Sequence, residues 1–102
     1  MDFGKLMEQA QAISANMQKE KDDLEKRVYT GEAGGSEGVK ITMSGAYETL
    51  EVSISQELLN PEDQDIVQDL ILLALNDVTD KIAKDKEASM GSMLGGLNIP
   101  GL

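Results

Sequence analysis

Apolar positions change their period along the chain, and each change marks an element. Phe3, Leu6, Ala10, Ile13, Met17 and Leu24 recur at three- and four-residue steps, with Glu20 at one position where the pattern calls for an apolar group. This narrow seam of heptad type predicts a helix over residues 3–27. At a rise of 1.5 Å per residue it is about 37 Å long. A seam so narrow implies contact with the body over part of that length and a projecting end. It fits a seam against the second helix and equally a coiled-coil seam between two copies. Asp2 is placed to cap the start.

The period then drops to two. Val39, Ile41 and Met43 alternate with Lys40, Thr42 and Ser44, and Leu50, Val52 and Ile54 with Glu51, Ser53 and Ser55. Together with the β-prone run Arg27-Val28-Tyr29-Thr30, this predicts three antiparallel strands at about 27–33, 38–44 and 48–55. Gly45, in Ser44-Gly45-Ala46-Tyr47, is expected to supply positive φ in a tight connection. The glycine-rich stretch 31–38 reads as a flexible loop or wide turn. It lacks the Lys-Ser/Thr ending of a phosphate-binding loop, and no helix follows it.

The helical period returns after Asn60-Pro61-Glu62-Asp63, where Asn60 is the expected N-cap and Pro61 the first helical residue. The helix is expected over 61–89, with a core stripe of Ile66, Val67, Leu70, Ile71, Ala74, Val78 and Ile82. Leu72, Leu73 and Leu75 make the segment Leu70–Leu75 apolar all round. A helix apolar on every side is buried on every side, and three short strands cover little. A second subunit is therefore expected to pack here. The candidate interface residues are Val39, Ile41, Met43, Leu50, Val52, Leu70, Leu72, Leu73 and Leu75; the competing reading has the first helix covering the far face within one chain. Residues 1–89 thus form one α+β domain of helix, three-stranded meander and helix. Residues 90–102, with four glycines, a proline and no charge, are expected to be a flexible tail.

Composition narrows the chemistry. The chain has no cysteine, histidine or tryptophan, which removes the usual general base, the strongest nucleophile and the usual transition-metal ligands. Acidic pairs such as Asp77/Asp80 and Glu62/Asp65 lie one helical turn apart, a spacing typical of solvated surface, and no EF-hand spacing occurs. No enzyme, cofactor, metal or small-molecule substrate is expected. Asn76 and Asp77 are expected to hydrogen-bond neighbouring backbone or the sheet. No run has the length of a membrane span, and the polar, acidic start is no secretory signal, so a cytoplasmic protein without a membrane partner is expected. Nine basic residues against nineteen acidic give −10, the reverse of a nucleic-acid binder's usual balance. The first 27 residues, with five basic and six acidic groups, are nearly neutral.

The opening MDFGKLMEQAQ, the segment TGEAGGSEGVKITMSGAYETLEVSI, the LLNPED and ALND motifs and the ending GGLNIPGL together resemble the YbaB/EbfC family of bacterial nucleoid-associated proteins. The resemblance spans nearly the whole chain. It implies an intertwined α+β homodimer likened to tweezers, with projecting helices. It also implies a non-enzymatic, nucleoid-associated protein that binds double-stranded DNA with low sequence specificity and affects nucleoid organisation and gene expression. The basic positions matching the prongs are Lys5, Lys19, Lys21, Lys26, Arg27, Lys81, Lys84 and Lys86. The charge departs from that picture. It points to weak or salt-sensitive binding, or to the alternative of an acidic protein–protein interaction module.

Overall fold

The computed structural model describes residues 2–96. Helix α1 (Phe3–Lys26) leads into strands β1 (Val28–Ala33), β2 (Val39–Ser44) and β3 (Thr49–Ile54), and helix α2 (Gln64–Gly96) follows. The strands form one antiparallel sheet in the order β1-β2-β3. The helix–meander–helix order read from the hydrophobic periods is the one observed.

The core is one face of this sheet under α2. Register places Tyr29, Gly31 and Ala33 of β1 beside Met43, Ile41 and Val39 of β2. Val39, Ile41 and Met43 are sealed beneath Ala74, Val78 and Ile82. These three helix positions are spaced by four, one ridge of α2. The other face is polar: Thr30, Glu32, Lys40 and Thr42 meet there, with Lys40 and Glu32 paired at 3.9 Å. The closeness of helix and sheet rests on Gly31. A Cβ there would fall 2.4 Å from the Ala74 carbonyl oxygen and 2.5 Å from the Val78 nitrogen, so the backbone of α2 lies directly on β1.

Several details differ from the sequence reading. Val39, Ile41 and Met43 were expected at a shared interface, but α2 of their own chain covers them completely, so they leave the list of candidate interface residues. Leu50 and Val52 alternate like core residues yet stand 54% and 51% exposed, because α2 lies over β1 and β2 and stops short of β3. A bulge opposite Thr42 and Met43 also leaves Leu50 without a cross-strand partner, breaking the simple alternation. The positive φ in the β2–β3 turn belongs to Tyr47 (62°), not Gly45. Glycine is required at 45 for space: a Cβ there would meet the Leu24 carbonyl oxygen at 1.8 Å. The Asn60 side chain does not cap α2; it donates to the Glu57 carbonyl at 2.9 Å. The chain enters α2 through a 3-10 turn at Pro61–Asp63. Finally, α2 runs on to Gly96, through seven residues assigned to the tail. Residues 90–96 lack charge but hold no proline, and the isolated Gly91 weakens a helix without ending it; α2 ends at the pair Gly95-Gly96. Residues 97–102 of that expected tail lie outside the described residues.

Candidate functional site

Helix α1 stands off the body. Leu24 is its one buried side chain, while Phe3, Leu6, Ile13 and Met17 are exposed along the seam. The chain measures 72 × 27 × 17 Å, a long object with a small packed centre. Asp2 accepts a hydrogen bond from the Gly4 N–H at 3.0 Å, which satisfies one free donor at the outer tip.

The eight basic candidates divide into two groups. Lys5, Lys19, Lys21 and Lys26 lie exposed on α1, and among the described residues none of them is in an ion pair. Lys5, Lys19 and Lys26 are separated by multiples of seven residues, so they form one row along the helix. The row spans about 31 Å at 1.5 Å per residue. That spacing is visible in the sequence and could have marked them as a set.

The other four are already engaged. Lys81 pairs with Asp77 at 3.2 Å and donates to the Thr30 carbonyl at 2.8 Å. Lys84 pairs with Asp80 at 2.9 Å, and that carboxylate raises the Lys84 pKa. Lys86 sits 4.3 Å over the Tyr47 ring, a cation–π contact. Arg27 bonds Asp85 at 3.0 Å and approaches Glu20 at 3.8 Å. The Tyr29 hydroxyl donates to the same Asp85 carboxylate. These two donors, Tyr29 first, hold Asp85 below the usual aspartate range. The basic cluster of α2 is thus interleaved with carboxylates in space as well as in sequence.

Asp77 has a definite task. Its carboxylate accepts the Glu32 N–H of β1 at 3.0 Å. That bond, ahead of the Lys81 contact, lowers its pKa. Asp77 and Lys81 therefore take up one donor and one acceptor on the outer edge of β1, the backbone bonding expected of Asp77.

The candidate self-association residues differ in exposure. Leu72 and Leu73 are exposed on α2, and Leu50 and Val52 on β3; Leu75 is at the margin of exposure, and Leu70 is half-buried against the core. Ile66 and Leu59 are also exposed and were not among the candidates. Among the described residues, no group of three or more His, Cys, Asp or Glu side chains is arranged to hold a metal ion, and no helix is long and apolar enough to cross a membrane.

This arrangement, an α+β body with an exposed helical arm, has known counterparts. Residues 1–97 match the sequence pattern of the YbaB/EbfC DNA-binding family. The chain belongs to that family. It is 36% identical over 102 residues to a nucleoid-associated protein of Ligilactobacillus salivarius, covering 100% of this chain and 95% of that one. A nucleoid-associated protein of Rickettsia canadensis is 36% identical over 100 residues, covering 98% of this chain and 92% of the relative. The fold is shared with the crystal structure of an uncharacterized protein from Helicobacter pylori, with a TM-score of 0.76, 23% identity and coverage of 92% of this chain and 98% of that one. The YbaB/EbfC family is one of DNA-binding, nucleoid-associated proteins and not of enzymes.

Proposed function

We propose that this YbaB/EbfC member binds double-stranded DNA as a homodimer with little sequence preference, acting at the nucleoid without catalysis. One observation favours α1 as the contacting element: among the described residues its four lysines are exposed and in no ion pair, whereas the α2 cations are held by carboxylates and by Tyr47. The row from Lys5 to Lys26 is about one turn of duplex in length, roughly 31 Å against 34–36 Å. Contacts of this kind reach phosphates, which carry no sequence information. The exposed Leu50, Val52, Leu72 and Leu73 support self-association. No membrane or small-molecule partner enters this reading.

A net charge of −10 per chain opposes DNA at long range, so binding rests on local lysine–phosphate contacts, which weaken as salt rises. The test is a fluorescence-anisotropy titration of duplex DNA between about 50 and 200 mM salt. Affinity is expected to fall steeply, and each lysine removed by Lys19→Gln, Lys21→Gln or Lys26→Gln should reduce the salt slope by about 1. No binding at either salt concentration would overturn the reading. It would leave the second one, an acidic protein–protein interaction module, which the same charge and the exposed leucines favour.

A further inference from the structure

The join between α1 and the body is one residue long. α1 ends at Lys26, β1 begins at Val28, and Arg27 between them is extended (φ −65°, ψ 150°). Any swing of α1 relative to the sheet must pass through the backbone of Arg27. Its carbonyl oxygen accepts the Gly45 N–H at 2.9 Å. Its guanidinium reaches Asp85 on α2 at 3.0 Å and Glu20, two turns back on α1, at 3.8 Å. Glu20 in turn accepts from the Ser89 hydroxyl of α2 at 2.7 Å, and Tyr29 holds Asp85 from the strand side.

We infer that Arg27 is the lock of a jointed arm: it fixes the direction of α1 through Asp85 and Glu20, and does not itself contact phosphate. Three features support this. The arm has little else to hold it, since Leu24 is its one buried side chain. Glu20, the residue that interrupts the apolar seam, occupies the place where α1 and α2 meet, which explains a polar group there. A guanidinium presents several donors in a fixed fork and can bridge two carboxylates while keeping their relative placement. The residue that sequence reasoning groups with the phosphate contacts is thereby a positioning residue. As a statement about duplex binding, this inference rests on the reading of α1 as the contacting arm; as a statement about the arm's geometry, it stands alone.

The test reads geometry first. The chain has no native cysteine, so spin labels on Gln11→Cys and Ser53→Cys, both exposed sites, report the distance from arm to body. Labelled chain is mixed with excess unlabelled chain so that distances within one chain dominate. The parent should give a narrow distribution, and Arg27→Gln a broad or displaced one. A 10° swing moves residue 11 by about 4 Å, given a lever of sixteen residues at 1.5 Å each. The exchange Arg27→Glu with Asp85→Arg should restore a narrow distribution, because an arginine again faces two carboxylates. An Arg27→Gln variant that is folded by circular dichroism and keeps the parent's distribution would overturn the inference.

Duplex titration supplies the second readout. If Arg27 positions the arm, the exchanged pair recovers the affinity lost in Arg27→Gln. If Arg27 contacts phosphate, the exchanged pair stays weak, with a salt slope lower by about 1, and the inference fails. If the parent binds no duplex at either salt concentration, the proposed function fails while the distance result still decides the lock.

Discussion

The two edges of the sheet are built in opposite ways. At β1 the helix lies so close that Gly31 has no room for a side chain, and Asp77 and Lys81 occupy the outward Glu32 N–H and Thr30 carbonyl. At β3, Ile54 at the strand's end packs against the core, but Leu50 and Val52 are left exposed. An uncovered strand edge invites pairing with another chain, and proteins that remain discrete block it. This chain blocks one edge and leaves the other apolar. In the proposed dimer this difference would give the two sides separate work, with β1 anchoring the fold and β3 the side open to a second copy.

The largest expected effect comes from breaking the anchored side. Gly31→Ala places a Cβ against helix backbone, which cannot move away as a side chain can. Destabilisation of about 3 kcal/mol is expected, at the upper end of overpacking costs. Thermal unfolding checks it, and a loss below about 1 kcal/mol would mean that α2 is free to lift away from β1.

The open side should respond differently. Leu50→Asp combined with Val52→Asp puts charges where the structure has exposed apolar groups, so the fold of a single chain has little to lose there. Sedimentation equilibrium should give a species near 11.0 kDa at micromolar concentration, where the parent is expected to sediment as a dimer. The far-ultraviolet circular dichroism should be unchanged. A parent that already sediments as a monomer would remove the proposed role of β3.

Much of this comparison was visible in the sequence, but not the part that separates the edges. Alternation identifies Val39, Ile41, Met43, Leu50 and Val52 alike as facing one side. It cannot say how far across the sheet a single helix reaches, and α2 is wide enough for two strands only. Likewise, Gly45 could be recognised as necessary, but not for which reason, since its constraint comes from Leu24 at the end of another element. The basic residues show the same limit. Counting charges groups Arg27, Lys81 and Lys84 with Lys19 and Lys26, whereas spatial pairing removes the first three. Long-range partners such as Asp85 for Arg27 have no local signature.

A smaller effect is expected from unsealing β1. Asp77→Ala removes the acceptor of the Glu32 N–H and the partner of Lys81. Glu32 is exposed and Asp77 half-buried, so water replaces much of the lost bonding and the cost is small. Amide exchange resolves it: the Glu32 amide should exchange faster than in the parent, while the amides of β2 change little. Unaltered exchange at Glu32 would mean that the seal has no energetic weight.

The smallest effect is the acid dependence of that same seal, and its sign follows from the carboxylates. Asp77 is held below the usual aspartate value of 3.8 chiefly by the Glu32 N–H, and Asp85 by Tyr29 and then Arg27. A depressed folded-state pKa contributes stability that is complete above the unfolded value and is lost as pH falls through the folded one. Both contributions should therefore be intact at pH 5 and above and should disappear below about pH 3.8. Exposure limits the size, since solvent screens such pairs. Carboxyl carbon shifts followed by NMR should show Asp77 and Asp85 titrating below that value, and protonation of Asp77 should speed exchange at Glu32 in step. Titration of Asp77 at or above the usual value would mean that its bond to β1 is not kept in solution. The β1 edge would then be as open as β3, and the contrast between the two sides would rest on Gly31 alone.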